Sequence, residues 1–157
     1  RVRAIGVSNF STAELSELLA RTDVVPAVNQ IQVHPYFSEP ELRSFNLENG
    51  ILTEAWSPIG GVTRYWKHGS GTVPKDPLHD PVIVGIAAEH HKTPAQVILR
   101  WEIQLGICVI PKSVTPKRIA ENIDLFDFSL SAEELSNINA LDTGIRSGPE
   151  PDTITRS

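Results

Sequence analysis

A chain of 157 residues, 40% hydrophobic and 21% charged, has the composition of an ordinary globular domain, which argues against a chain disordered throughout. The formal net charge of -5 and scattered basic residues argue against nucleic acid as a partner, and no apolar run approaches the roughly 18 residues of a membrane-spanning helix. The single cysteine, Cys108, lies in the apolar run Ile107 to Ile110 and reads as a buried, reduced core residue, from which a cytoplasmic location is expected. The sequence has no methionine and opens directly into a strand pattern, so a preceding segment is expected.

Four times a short apolar strand leads through a polar loop into a helical pattern, the grammar of a parallel α/β fold. The first unit has a strand over Arg3 to Val7 and a helix over Ser11 to Arg21, where Ser11 and Glu14 form a capping box and Leu15, Leu18 and Leu19 a stripe. The second has a strand over Ala27 to Val33, then Ser38, Pro40 and Glu41 opening a shorter helix that Asn49-Gly50 terminates. The third has a strand over Ile51 to Trp56 and a Gly- and Pro-rich stretch from Pro58 to Pro81, longer than ordinary connections and therefore functional or mobile. A helix pair follows, from Val82 to about His91 and from Thr93-Pro94 with Gln96 as capping partner. The fourth unit has a strand over Ile107 to Ile110, a loop over Pro111 to Thr115 and a helix from Pro116 to about Asn122. A fifth helix starts at Ser131, capped by Glu134, and the tail after Asp142 reads as irregular.

Four such units make half of a (β/α)8 barrel, whose full length is about 250 residues. A flavodoxin-like sheet is the rival arrangement, but no strand runs into a G-x-G-x-x-G or P-loop turn. As a half-barrel the chain would leave two sheet edges open.

The stretch Val109-Ile-Pro-Lys-Ser-Val-Thr-Pro-Lys-Arg-Ile-Ala-Glu-Asn122 places Lys112 and Ser113 in a loop, Thr115 at a helix cap, Pro116 in the first turn and Arg118 one turn in. Free N–H groups at the positive helix end, a lysine and a forked arginine donor suit a ribose phosphate better than a hydroxyl, which favours NADP over NAD. By composition alone, the preferred reading of Lys112 and Arg118 is the plainer one, solvated surface charges beside a good helix start. Likewise Ser8-Asn9 offers donors and an acceptor at a strand end or simply precedes a helix, Gln30 in a strand buried on both faces needs a partner of some kind, and Trp56 is a stacking face or a core filler. The pair His90-His91 at a helix end reads as a C-terminal cap in preference to a metal site, because adjacent helical residues point apart.

Ile110-Pro-Lys-Ser-Val-Thr-Pro116 with Arg118, Glu121 and Asn122 resembles the NADP-binding signature of the aldo-keto reductases. Ala4-Ile-Gly-Val-Ser-Asn-Phe10, Val28-Asn-Gln-Ile31 with His34-Pro35-Tyr36, and Trp56-Ser-Pro-Ile-Gly60 agree in order and spacing. The resemblance, from Arg1 to about Leu141, implies that the chain is the carboxyl-terminal half of a TIM barrel, strands 5 to 8 with their helices. It implies that Ser8, Asn9 and Gln30 hold a nicotinamide carboxamide and that the ring stacks on position 56, where many members have Tyr and this chain, similar to bacterial 2,5-diketogluconate reductases, has Trp56. It further implies that Ser57, Pro58 and Ile59 line the pyrophosphate, that Lys112, Ser113, Val114, Thr115 and Arg118 hold the adenosine ribose phosphate, and that Glu121 and Asn122 reach the adenine. The loop from Gly60 to Asp80, with Arg64, Lys67 and Lys75, would fold over the pyrophosphate.

The activity implied is NADPH-dependent reduction of aldehydes or ketones, keto sugars and keto acids among them. The family's acid-base set of Asp, Tyr, Lys and His belongs to the other half of the barrel. Neither Tyr36, Tyr65 nor His34 has the surroundings of those residues, so no catalytic residue and no metal ligand is assigned to this chain. The N-terminal half, in the same protein or as a separate chain, is the expected partner. A non-catalytic nucleotide-binding or assembly module is the alternative.

Overall fold

A computed structural model describes residues 2–60, 76–148 and 151. Four parallel strands in sequence order form one sheet: β1 (Gly6–Ser8), β2 (Val28–Gln32), β3 (Leu52–Trp56) and β4 (Cys108–Val109). The helices are α1 (Thr12–Arg21), α2 (Pro40–Glu48), α3 (Pro81–Glu89), α4 (Pro94–Gln104), α5 (Pro116–Ile123) and α6 (Ala132–Asn139). Each element expected from the sequence is present. β1 lies further along than expected and β4 is only two residues long, because an edge strand is defined by its single neighbour. The stretch read as continuous loop up to Pro81 contains a 3-10 turn at Pro77–His79, whose N-cap Asp76 accepts from the Leu78 N–H. The loop positions Arg64, Lys67 and Lys75, together with Tyr65, lie outside the described residues.

Capping decides where most helices start. Ser11 and Glu14, Thr93 and Gln96, and Ser131 and Glu134 all form reciprocal capping boxes. Thr115 departs from expectation: it occupies the N-cap position of α5, but its hydroxyl makes no capping bond, and it is Ser113 Oγ that accepts from the Thr115 N–H at 3.2 Å. The backbone there leaves the first-turn N–H groups of α5 without a side-chain acceptor.

Strand alternation sends Asn29, Ile31, Thr53 and Ala55 toward the helices, where they are buried with Leu15, Ile83, Val97, Ile98, Trp101 and Ile138. Asn29 is fully buried and clamps the chain after β1, donating to the Phe10 carbonyl at 2.9 Å and accepting from its N–H at 3.4 Å. Trp101 donates to Asn139 Oδ1 at 2.8 Å, tying α4 to α6, and Lys92 bridges Asp124 and Asp127 at 2.8 Å each.

The opposite sheet face was expected to be buried as well. It is open: Ser8 is exposed and Gln30, Glu54, Trp56 and Cys108 are half-buried, so Cys108 is not the enclosed core residue its apolar flanks suggested. Apolar side chains are exposed at both flanks, Ile5, Val24 and Val25 near β1 and Ile110, Ile119, Ile123 and Phe126 near β4 and α5. Among the described residues, no helix is long and apolar enough to cross a membrane.

Candidate cofactor site

In a parallel α/β unit the loops after the strands gather at one end of the sheet, and the ligand site belongs there. Pairing aligns Ser8 with Gln30, Gln30 with Glu54 and Glu54 with Cys108, so one register line carries a polar side chain from every strand on the open face. The Ser8 hydroxyl donates to the Gln30 carbonyl at 3.1 Å, and Gln30 Nε2 donates to Glu54 Oε1 at 2.5 Å. The other Glu54 oxygen faces Cys108 Sγ at 3.8 Å; burial, then the neighbouring carboxylate, pushes the thiol above its ordinary value, so it remains a donor. Gln30 thus has the partner it was expected to need, and that partner is Glu54, a residue with no local sequence signal.

Asn9 follows β1 in a left-handed conformation, φ 57°, with its N–H on the Gln30 carbonyl at 2.9 Å. It does not cap α1; Ser11 does. From β3 the Trp56 indole reaches across and donates to Asn9 Oδ1 at 2.9 Å, so Trp56 is part of this cluster and not a core filler. Ser57 continues in the left-handed region, φ 51°, and a tight turn closes with Gly60 N–H on the Ser57 carbonyl at 2.9 Å. Gly60 is required there: its φ is +73°, and a Cβ would meet the Pro77 ring at 2.8 Å. Pro58 is buried and Ile59 packs against the core, so of this turn only Ser57 and the backbone face a ligand.

The second group lies beyond β4. Lys112, Ser113 and Asn122 share a cleft of about 530 Å³ with the apolar Ile119, Ile123 and Phe126. Val114, Thr115 and Arg118 are exposed beside it and do not line it. Glu121 stands 3.7 Å from Lys117 Nζ, one turn back on α5. Lys112 and Arg118 are in no ion pair among the described residues, which leaves two cations beside the uncapped start of α5.

The remaining candidates have structural duties. His34 is buried beside Gln32 and Ser147; burial, opposed by Asp142 and aided by Arg146, lowers its pKa to about 4, so it is neutral at physiological pH. Tyr36 donates to Asp80 Oδ2 at 2.7 Å, and burial followed by that carboxylate raises the phenol well above its ordinary value, the wrong direction for a proton donor. His90 caps α3 and meets Glu134 Oε1 at 2.6 Å. No group of three or more metal-ligating side chains occurs among the described residues.

The tail is docked as far as Gly148, which its sequence did not foretell. Thr143 N–H and Oγ1 donate to the Tyr36 carbonyl at 3.0 and 2.8 Å, Ser38 bonds Asp142, Gln32 Nε2 donates to Ser147 Oγ, and Gly148 N–H reaches Gln32 Oε1 at 3.1 Å. Gly148 lies so close to the edge of Trp56 that a Cβ would approach the ring at 2.8 Å.

The sequence pattern of the Aldo/keto reductase family matches residues 1–143. The chain belongs to the aldo/keto reductase family. It is 53% identical over its whole length to a morphine 6-dehydrogenase of Pseudomonas putida, covering 53% of that protein, and 42% identical over 98% of its length to a methylglyoxal reductase of Yersinia pestis, covering 51% of it. Among solved structures, an aldo-keto reductase of Bombyx mori in complex with NADP superposes with a TM-score of 0.84 at 36% identity, over 96% of this chain and 48% of that one. A point mutant of Gox0644 in complex with NADPH gives 0.86 at 42% identity, over 99% and 53%. The chain therefore spans about half the length of the relatives it matches, and its four-stranded sheet is half of a (β/α)8 aldo/keto reductase barrel.

Proposed function

We propose that this chain is the NADP(H)-binding half of a carbonyl reductase that converts aldehydes or ketones, keto sugars and keto acids among them, to alcohols. The observation that carries the reading is the convergence of Ser8, Asn9, Gln30 and Trp56, contributed by three strands, at one end of the sheet. Donors, acceptors and an aromatic face occur there together, which is the set a nicotinamide ring with its carboxamide needs. Ser57 and the backbone of Pro58 and Ile59 would line the pyrophosphate. Lys112, Ser113, Val114, Thr115 and Arg118 would hold the ribose phosphate, and Glu121 and Asn122 would reach the adenine. Two cations outside any described ion pair fit a phosphate dianion and have no comparable use against a hydroxyl.

When bound, NADPH supplies the hydride. This chain's residues orient the ring and anchor the phosphates; the proton donor comes from the remaining barrel half, in the same polypeptide or as a second chain, which would also cover the apolar flanks left at both sheet edges. A second reading, a nucleotide-binding module without turnover, follows if no barrel half supplies a proton donor beside the ring.

Calorimetric titration with NADPH and NADH, followed by NADPH oxidation in the presence of simple aldehydes, separates the readings. NADPH preference with turnover supports the reductase, preference without turnover supports the module, and equal or absent affinity for the two nucleotides rejects both.

A further inference from the structure

Three groups at the mouth of the sheet are each locked into one hydrogen-bonding polarity by a partner that admits no alternative. An indole N–H only donates, so the Asn9 atom 2.9 Å from Trp56 Nε1 is Oδ1, and the Asn9 amino group is left for a ligand. A carboxylate only accepts, so Gln30 turns its amino group to Glu54 at 2.5 Å and retains its Oε1. A backbone carbonyl only accepts, so the Ser8 hydroxyl spends its hydrogen on Gln30 and retains its lone pairs. Beside the second Gln30 N–H, the set left over is the Asn9 amino group as donor and two acceptor oxygens, Gln30 Oε1 and Ser8 Oγ. A primary carboxamide, with one carbonyl and two N–H groups, is its complement.

We propose that Glu54 is a positioning residue that fixes the Gln30 amide with its oxygen outward and, with Trp56 as the matching lock on Asn9, makes this mouth select a primary carboxamide over a ring substituent lacking the N–H groups. The inference rests on the nicotinamide reading above and adds a residue that never touches the cofactor. Glu54 is itself held by the register of β2 and β3 and by the Cys108 thiol on its second oxygen. Gln30 and Asn9 are therefore set before ligand arrives, and the two amides need not reorganise on binding.

The test compares, on the protein in the form in which it is isolated, the affinities for NADP+ and for its 3-acetylpyridine analogue, in which a methyl replaces the amino group without changing charge. Adenosine 2′,5′-bisphosphate, which lacks the ring, is the control. The native chain is expected to prefer NADP+ about tenfold, the worth of a well-made hydrogen bond and an unpaired acceptor avoided. Glu54→Gln keeps the shape but permits either amide polarity, and Glu54→Leu removes the acceptor; both should cut the preference to about threefold or less while the bisphosphate binds unchanged. Trp56→Phe keeps an aromatic face, loses the donor and should lower the ratio likewise. A native-like ratio in both Glu54 variants, with bisphosphate affinity intact, overturns the proposal. Should the Glu54 variants lose bisphosphate affinity, Trp56→Phe decides, an unchanged ratio overturning it. A native protein that binds neither the bisphosphate nor NADP+ rejects the cofactor site itself, whereas one that binds both NADP+ and the analogue equally rejects only the polarity lock.

Discussion

Glu102 is fully buried on α4, and among the described residues neither of its carboxyl oxygens has a hydrogen-bond partner. Burial pushes its carboxyl well above the ordinary range, with Arg43 opposing; yet the Arg43 Nε donates to the Ser38 carbonyl at 2.7 Å, and burial lowers that guanidinium too. Glu102→Met keeps the reach of the side chain and removes both oxygens. An unpaired buried polar group costs about 1–3 kcal/mol and an imperfect apolar replacement returns less than about 1.5 kcal/mol of that as strain, so the variant is expected to be between roughly neutral and about 3 kcal/mol more stable at pH 7. The pH dependence has a definite sign. A carboxyl whose folded pKa is raised imposes no ionisation penalty below its unfolded value near 4.3, and a growing one as pH rises from there toward the folded value. The advantage of Glu102→Met should therefore be smallest near pH 4 and larger at pH 7. Urea midpoints at both pH values, followed by tryptophan fluorescence with m checked for constancy, measure it. A variant less stable than the native chain at pH 7, or an advantage that does not change with pH, would mean that Glu102 is ionised and paired in the native state, and would refute the reasoning.

Arg118→Ala and Lys112→Ala should each weaken NADPH by about tenfold to a hundredfold, as loss of a charge-assisted bond implies, and leave NADH unchanged in calorimetric titration. Ser131→Ala should destabilise the fold by about 1 kcal/mol through the α6 cap, read as a lower urea midpoint. Glu134 titrates below its ordinary value, burial being outweighed by bonds from Ser131 and His90. It therefore contributes stability when ionised, and that stability is lost as pH falls through its folded value. Glu134→Gln should accordingly be less stable than the native chain at pH 7 and indistinguishable from it in strong acid. Gly148→Val would drive a side chain into Trp56 and Gln32, so it should lift the tail and speed tryptic cleavage after Arg146, as followed by mass spectrometry.

The local grammar of the sequence carried far. Ser11-Glu14, Thr93-Gln96 and Ser131-Glu134 needed no tertiary context to be recognised as helix starts, because a capping box closes within four residues. The Ser8-Asn9, Gln30 and Trp56 segments were legible as candidates, and the structure brings their side chains together. What escaped depends on alignment between distant stretches. Glu54 matters only because β2 and β3 pair with it opposite Gln30, and the tail's anchors on Gln32 and Tyr36 lie more than 100 residues from their partners. The half-exposed state of Cys108 and Gln30 follows from a face that apolar flanks alone read as closed. Thr115 shows the limit of the capping rule, since a hydroxyl in the N-cap position did not turn toward the helix.

Asn9 and Ser57, two of the four non-glycine residues with left-handed backbone among the described residues, both follow strand ends at the candidate cofactor site. A glycine at Ser57 would relieve that conformation and, in a fold selected only for stability, would be preferred. Serine there accepts backbone strain in exchange for a hydroxyl beside the turn. Sequence-optimisation schemes that reward stability alone would erase this trade first, delivering a sturdier scaffold whose grip on its ligand had loosened.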